Sequence, residues 1–426
     1  MVFPWGFRSN VKIHQSNSDK SIDLPLRNGE KTIKYADFIK DELPIIDEKE
    51  KLWLNPLLFN GLLQTLYYSS ANLSHKFQVY YGREIFTYED GGVCSIDHVI
   101  PQPENTEEFK ALHDKTLPEG WPKLHPRSRY FSNEELEQVN SPSEGSQSTK
   151  PICVVLHGLA GGSHEPLIRN LAEYLSTGKN ENKWDTLVIN SRGCCRTKIT
   201  NGKLFTALST GDIHEVLVEL KKRNPNRPIY TVGFSFGAAI LANYLAEIKD
   251  DTMITAACLV GCPWDLIDSA YHIEKSWSGS YLFNPALTSF LNKLVKNNFT
   301  ELNHHNPELF NEENLKRGMK QTKTWQFDSV YTCHTIGYSN PFEYYRDASP
   351  VNRISKIHTP TLILNSTDDP AVGVRLPWME VENNPHLCMV ETDLGGHLGY
   401  VQSSGKFWCV QLVEEFFAKF DELIAS

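Results

Sequence analysis

The chain has 426 residues, of which 40% are hydrophobic and 22% charged, and its formal net charge is −10. This is the composition of an ordinary globular protein with a large core, and it excludes a disordered or fibrous chain. No cluster of Lys and Arg stands out, so nucleic acid is not an expected partner.

The first 70 residues predict an N-terminal extension that is irregular and then helical. They show no basic region followed by an apolar stretch, so we expect no secretory signal. The most apolar window, residues 52–68, is interrupted by Asn, Pro, Gly and Gln, whereas a spanning helix needs about 20 mainly apolar residues. We therefore expect no transmembrane span. The window favours packing on the protein's own core over an interfacial patch that touches lipid or lines an acyl entrance.

Residues 77–100 predict a β-hairpin. Two apolar stretches flank the sequence EDGG at residues 89–92, and glycine permits the positive φ angles of a tight turn. Residues 101–150 are rich in Pro, Glu, Ser and Asn. Within them, residues 141–149 predict a polar loop.

From residue 152 onward, short apolar runs alternate with amphipathic helical stretches. The predicted strands are 152–158, 184–190, 228–233 and 252–261, and the predicted helices are 164–176, 211–223 and 236–248. This alternation predicts βαβ units, and so an α/β fold with a mostly parallel central sheet and helices on both faces.

The alternation stops near residue 265. Residues 266–350 carry helical stretches and many aromatics but no clear strand, and they predict an inserted helical cap over the carboxyl edge of the sheet. Apolar runs at 359–365 and 387–392 and a helix at about 406–424 complete the pattern. The expected organisation is an extension at 1–70, a core of 71–265 and 351–426 with a polar excursion at about 101–150, and a cap at 266–350.

Ser235 lies in the motif GFSFG, residues 233–237, between an apolar run and a helical stretch. GxSxG in a strand–turn–helix context predicts the nucleophile elbow of an α/β-hydrolase. The turn is tight and the serine backbone strained, so small neighbours are needed. A chance GxSxG in a loop is the alternative, and the flanking elements argue against it.

A serine nucleophile needs a general base and an acid that orients it, in the chain order Ser, Asp or Glu, His. His397, in the glycine-rich loop GGHLG after the last apolar run, is the predicted base. Asp369 is the predicted acid, with its neighbour Asp368 as the competing residue. Asp393, four residues before His397, is a third candidate. The acid would hold the histidine tautomer and stabilise the imidazolium.

The oxyanion hole of this fold uses two backbone N–H groups. Phe236, directly after the nucleophile, is one predicted donor. Leu159, in the loop HGLAGG at residues 157–162, is the other. The same loop resembles a phosphate cradle, but it has neither GK[ST] nor a full GxGxxG, so nucleotide binding is not favoured.

Nine cysteines, an odd number, favour buried thiols in a reducing compartment over a disulfide framework. We therefore expect an intracellular protein, cytoplasmic or peripheral to lipid droplets or membranes. No CxxC pair occurs, so a structural zinc is not expected. We also expect no other metal ligands and no cofactor. For the pair Cys194 and Cys195, structural packing is favoured over a reactive thiol.

Other conspicuous residues favour simple structural roles. The pair His304 and His305 lacks a spaced partner and favours a solvated loop over a metal site. Ser163, followed by His164, favours a helix cap. The aromatic residues of the predicted cap either line an acyl pocket or form the cap's own core. They are Trp277, Tyr281, Phe283 and Phe290.

The motifs HGLAGGSHEP, NSRGCCRTKIT, GFSFGA, FDSVYT, NSTDDPAVG and TDLGGH, in this order, resemble the fungal medium-chain fatty acid ethyl ester synthase/esterase family. That family belongs to the AB-hydrolase-4 group of the α/β-hydrolases. The resemblance extends from about Leu54 to near the end of the chain. The extreme N-terminus and residues 139–150 do not match clearly.

The resemblance implies an esterase that cleaves medium-chain acyl esters and transfers acyl groups from acyl-CoA to an alcohol such as ethanol. The family's catalytic residues fall on Ser235, Asp369 and His397. Expected partners are therefore acyl ester, acyl-CoA and small alcohol substrates, with peripheral contact to a lipid surface. Two alternatives stay open. One is a monoacylglycerol lipase, and the other is a non-catalytic α/β-hydrolase that only binds.

Overall fold

The computed structural model describes residues 7–27, 29, 31–73, 75–140, 148–251, 253–373 and 375–425. Most of the predicted polar loop, residues 141–147, lies outside the described residues. The strands of the described part are β1 (Phe7–Ser9), β2 (Val11–Gln15), β3 (Asp23–Pro25), β4 (Thr32–Lys34), β5 (Leu52–Leu54), β6 (Tyr80–Thr87), β7 (Val93–Ile100), β8 (Ser128–Tyr130), β9 (Ile152–Leu156), β10 (Asp185–Asn190), β11 (Ile229–Phe234), β12 (Ala256–Val260), β13 (Thr361–Ser366) and β14 (Leu387–Thr392).

The α-helices of the same residues are α1 (Tyr35–Glu42), α2 (Gly61–Ser70), α3 (Thr106–Thr116), α4 (Asn133–Asn140), α5 (Pro166–Ser176), α6 (Thr210–Arg223), α7 (Phe236–Ile248), α8 (Leu266–Lys275), α9 (Asn284–Asn297), α10 (Phe299–His305), α11 (Glu312–Gly318), α12 (Thr324–Val330), α13 (Thr332–Thr335), α14 (Pro341–Ala348), α15 (Trp378–Glu382) and α16 (Trp408–Leu423). No helix of the described residues is both long and apolar enough to cross a membrane.

The chain divides into two compact units. The first comprises Met1–Asn72, Tyr230–Asn284 and Tyr345–Ser426, and the second comprises Leu73–Ile229 and Pro285–Tyr344. These boundaries differ from those expected from the sequence, because the N-terminal residues group with the later parts of the chain. The functional division into extension, core and cap stays a prediction.

The first unit contains strands in the order β2-β14-β13-β12-β11. Strands β11 to β14 are parallel and almost wholly buried, as strands covered on both faces by helices must be. Strand β2 is antiparallel to β14, with Val11 opposite Thr392. The predicted irregular start is therefore wrong at residues 11–15. This run contains only two apolar residues, Val11 and Ile13, so its alternation was too short to indicate a strand.

Aromatic packing attaches the N-terminal helix α1 to the C-terminal helix α16 within the same unit. Phe38 is fully buried, and its ring lies edge-on to Phe420 at 5.5 Å and to Phe416 at 6.2 Å. Burying a phenylalanine contributes about 1.5–3 kcal/mol. Helix α1 is thus part of the core of this unit.

The second unit contains strands in the order β9-β10-β7-β6-β8. β6 and β7 form the hairpin predicted from residues 77–100, with Gly91 at φ +77° in its turn. β9 and β10 are parallel, as the alternating pattern predicted. In both units, the helices and strands of the repeat lie within a few residues of their predicted positions, and the α/β class is confirmed.

Residues 266–350 are mostly helical and are divided between the two units, and their role as a cap stays a prediction. Trp277, Tyr281 and Phe290 are each more than half exposed. These three side chains are therefore not buried in the core of a helical cap, which is one of the two alternatives, whereas Phe283 is half-buried.

Candidate active site

Ser235 occupies the turn between β11 and α7, with φ +53° and ψ −118°. This left-handed conformation is strained for a residue with a Cβ atom, and such strain is typical of a nucleophile elbow. The Ser235 N–H donates to the Val260 carbonyl at 2.8 Å, which fixes the turn against β12. A Cβ atom on Gly233 would lie 2.5 Å from the Gly237 carbonyl oxygen, so only glycine lets strand and helix approach this closely.

His397 lies in the loop that follows β14. Its Nε2 atom is 2.7 Å from Ser235 Oγ, and its Nδ1 atom is 2.7 Å from Asp369 Oδ2. An ionised carboxylate only accepts hydrogen bonds, so Nδ1 carries the proton and Nε2 is left to accept one from the serine. All three side chains belong to the first compact unit.

Of the three candidate acids, Asp369 is the one in hydrogen-bonding contact with His397. Its other oxygen accepts from the N–H groups of Ala371 and Val372, at 2.8 and 3.1 Å, and the residue is 2% exposed. Asp393 instead accepts from Ser9 and Asn10 of the N-terminal segment. The choice of Asp369 as catalytic acid stays a prediction, with this geometry in its favour.

Asp368 holds the histidine loop. Its Oδ1 atom accepts from the N–H groups of Gly395 and Gly396, at 3.1 and 2.8 Å, and from the Ser366 hydroxyl at 2.7 Å. Burial raises the pKa of Asp368 and outweighs the opposing effect of these hydrogen bonds. The adjacent acids therefore have separate tasks, because Asp369 contacts the imidazole and Asp368 fixes the backbone that carries it.

Helix α2 supports the same loop, a role that the sequence did not reveal. The His397 N–H donates to Thr65 Oγ1 at 2.8 Å. A Cβ atom on Gly396 would lie 2.2 Å from the Gly61 carbonyl oxygen, so the loop backbone rests directly on the helix. One signal was available in the sequence, because Gln64 and Thr65 are polar residues within its most apolar window, and the structure buries both.

Replacing Thr65 with valine is expected to lower kcat roughly 10-fold. Valine keeps the shape but leaves the partly buried His397 N–H without its acceptor, which costs about 1–3 kcal/mol. Thr65→Ser keeps the hydroxyl and is the matched control, with kcat expected within a few-fold of the wild type. Steady-state kinetics with a p-nitrophenyl ester measure both. Equal kcat values for Thr65→Val and wild type would show that the contact does not position His397.

The two predicted oxyanion donors lie in different units. Phe236 is the first residue of α7, where a helix N-terminus carries partial positive charge. Leu159 lies in a turn after β9 in the second unit, half-buried, beside Ala160 at φ +55°. The joint role of the two N–H groups stays a prediction.

His157 fixes the loop that carries Leu159. Its Nε2 atom accepts from the Ser191 N–H at 3.1 Å, and its Nδ1 donates to the Gly158 carbonyl at 2.7 Å. Burial lowers the pKa of His157 to about 4, so it stays neutral and keeps both bonds near neutral pH. The sequence shows only that His157 lies in the loop HGLAGG, and it does not reveal this contact between the ends of β9 and β10.

Two further predictions concern Ser163 and the pair His304 and His305. Ser163 is not the cap of the following helix, because α5 begins at Pro166 after Glu165 and the Ser163 hydroxyl donates to Asp97. His304 and His305 end α10 and belong to no cluster of three metal-binding side chains among the described residues.

The chain matches known proteins over most of its length. The family described as alpha/beta hydrolase fold matches residues 151–404. The medium-chain fatty acid ethyl ester synthase/esterase 2 of Saccharomyces cerevisiae is 41% identical, covering 99% of this chain and 97% of that protein. A monoacylglycerol lipase of the same yeast is 34% identical, covering 99% and 89%. The human phospholipase ABHD3 is 26% identical, covering 86% and 77%.

These matches agree with the parallel strands, the serine turn and the histidine loop described above. The chain belongs to the α/β-hydrolase fold family and, within it, to the medium-chain fatty acid ethyl ester synthase/esterase family.

Proposed function

We propose that this chain is a serine esterase and acyltransferase that acts on medium-chain acyl esters through an acyl-enzyme on Ser235. The observation that carries the proposal is the continuous hydrogen-bonded chain from Ser235 through His397 to Asp369, with both distances at 2.7 Å. The substrate class comes from the name of the relative that is 41% identical.

In the first half-reaction, Ser235 Oγ attacks the carbonyl carbon of an ester or thioester while His397 Nε2 takes its proton. Asp369 keeps the imidazole in the required tautomer and stabilises the imidazolium that forms. The N–H groups of Phe236 and Leu159 are the donors that we propose for the oxyanion. His397 then protonates the departing alcohol or thiol, which leaves the acyl group on the serine.

In the second half-reaction, His397 activates the acceptor that removes the acyl group. Water as acceptor gives hydrolysis, and an alcohol such as ethanol gives a new ester. The same three residues serve both reactions, so the ratio of products depends on how well the site admits an alcohol relative to water. No cofactor is needed for either step.

A series of p-nitrophenyl esters from acetyl to palmitoyl, with and without ethanol, tests the proposal. We expect kcat/KM to be highest near octanoyl, and we expect ethyl octanoate to form in proportion to added ethanol, measured by gas chromatography. Octanoyl-CoA with ethanol tests the thioester donor. A preference for acetyl over octanoyl esters would contradict the substrate class, and hydrolysis without ethyl ester would contradict the transferase part.

A monoacylglycerol lipase is the second candidate, favoured by the relative that is 34% identical over nearly the whole chain. Competition between a monoacylglycerol and ethyl octanoate separates the two functions, because the better substrate has the higher kcat/KM.

We also propose that the protein is intracellular and contacts lipid surfaces peripherally. Leu57 and Phe59, which are 79% and 55% exposed, support this contact, and sedimentation with phosphatidylcholine vesicles checks it.

A further inference from the structure

The second unit contains a cluster of titratable side chains around Cys195, which the proposed mechanism does not use. Cys195 Sγ lies 3.4 Å from His164 Nδ1, 3.4 Å from Arg83 Nη2 and 3.6 Å from Ser163 Oγ. His125 stacks on His164, with parallel rings 4.1 Å apart. These residues come from separate parts of the chain, so the fold assembles the cluster.

The charges around the sulfur favour an anion. Arg83 is fully buried and paired with Asp97 through two hydrogen bonds of 2.6 and 2.7 Å, and its remaining Nη1 donates to the Cys195 carbonyl at 2.8 Å. A guanidinium has no acceptor, so Cys195 Sγ must accept at the Arg83 contact. The Asp97 carboxylate also acts on Cys195, and its negative charge disfavours a thiolate. That carboxylate accepts hydrogen bonds from Arg83, Ser163 and Asn190, which offset its charge.

The protonation of the cluster follows from these contacts. Burial would raise the pKa of Cys195, but the Arg83 charge and the His164 hydrogen bond outweigh it and lower the pKa to about 7. Burial would lower the pKa of His164, but its contacts with Cys195 outweigh this and raise it. Burial and the neighbouring His164 lower the pKa of His125 to about 3, so the stacked partner is neutral. By contrast, burial raises the pKa of the adjacent Cys194 thiol well above its usual value.

The backbone holds the sulfur in this position under strain. Cys195 and Arg196 both have left-handed conformations, with φ +48° and +63°. Residues with a Cβ atom rarely adopt this region, and such strain concentrates at functional sites. The sequence favoured simple packing for Cys194 and Cys195, but the surroundings of the two thiols differ.

We propose that Cys195 is a modification site, a thiolate paired with His164 that hydroperoxides oxidise to a sulfenic acid. The sulfur attacks one peroxide oxygen, so an S–O bond forms and the O–O bond breaks. The sulfur loses two electrons and the peroxide gains them. The leaving hydroxide or alkoxide takes the proton from the His164 imidazolium and departs as water or alcohol.

Oxidation of Cys195 would also disturb the loop that carries Leu159. A Cβ atom on Gly162 would lie 2.4 Å from Cys195 Cβ and 2.8 Å from its Sγ, so the loop backbone packs directly on this side chain. Cys195 is only 7% exposed, so an added oxygen has little free space around it, and we expect it to displace the loop. This consequence rests on the proposed function, because it lowers esterase activity only if Leu159 is an oxyanion donor.

Zinc binding is the competing interpretation, because ligand atoms of His125, His164 and Cys195 lie within 4.8 Å of one another. The rings of the two histidines are parallel within 4°. Lone pairs of imidazole nitrogens lie in the ring plane, so those of two stacked rings do not converge on one ion. The adjacent Arg83 charge also repels a cation. The arrangement therefore favours a reactive thiolate.

The full-length protein treated with hydrogen peroxide and dimedone tests the proposal. Peptide mass spectrometry should find dimedone on Cys195 roughly 10-fold faster than on Cys194, because the thiolate fraction differs strongly near pH 7. His164→Gln, which keeps the sulfur but loses the imidazole, should slow the labelling roughly 10-fold. Equal labelling of the two cysteines in folded wild type would overturn the proposal, as would one Zn²⁺ per chain that Cys195→Ser removes.

The same samples separate this inference from the proposed function. We expect peroxide to inhibit ester hydrolysis by the wild type and by Cys194→Ala, dithiothreitol to restore it, and Cys195→Ala to resist. Labelled Cys195 with unchanged hydrolysis would refute the loop displacement and leave the modification site standing. If the untreated wild type shows no esterase activity, the proposed function fails, but the dimedone result still decides the modification site.

Discussion

Replacing Ser235 with alanine is expected to abolish labelling by a fluorophosphonate probe and to reduce ester hydrolysis roughly 10⁴-fold or more. The hydroxyl is the atom that forms the acyl-enzyme, and the rest of the site cannot replace it. The variant should fold normally, because Ser235 fixes the turn through its backbone N–H, which donates to Val260 and is kept in alanine. In-gel fluorescence and p-nitrophenyl octanoate hydrolysis provide the two measurements.

The matched control is Ser69→Ala, which removes the hydroxyl of an exposed serine at the end of α2. It should label and hydrolyse like the wild type. Persistent labelling of Ser235→Ala would identify another nucleophile. Absence of labelling in the wild type, together with no hydrolysis, would favour the non-catalytic binding protein over the enzyme.

Replacing Asp369 with asparagine is expected to reduce kcat about 10⁴-fold, with a much smaller change in KM. Asparagine is nearly isosteric, but its amide can place a donor towards His397 Nδ1. The imidazole then adopts the wrong tautomer, and Nε2 can no longer take the serine proton. Circular dichroism should show a folded protein, since Asp369 Oδ1 also accepts from Ala371 and Val372 and the amide oxygen can keep both of these bonds.

Asp393→Asn makes the same chemical change at the other candidate acid, which contacts the N-terminal segment rather than His397. Its kcat should stay within a few-fold of the wild type, although some stability is lost. If Asp393→Asn lost as much activity as Asp369→Asn, the assignment of the acid would be wrong. Each variant loses one carboxylate, so the difference between their kcat values at one pH reports the contact of Asp369 with the imidazole.

The N-terminal residues show why part of the architecture could not be predicted. The alternation in residues 11–15 was too short to indicate a strand, and pairing with β14 makes this segment one. Thr65 lies 332 positions before His397 along the chain, yet its hydroxyl accepts the His397 N–H. No local pattern specifies such a partner, because the contact exists only when two distant segments pack together.

The sequence by itself determined the alternation of strands and helices, the serine turn and the order of serine, acid and histidine. These features depend on local periodicity and on residues a few positions apart. A tight, strained turn that needs glycine neighbours admits few other local structures. The tertiary structure decided which acid contacts His397, that α2 supports the histidine loop, and that adjacent Cys194 and Cys195 have opposite pKa shifts. The direction of a side chain and the charges that surround it arise from packing between distant segments, so they emerge only in the folded chain.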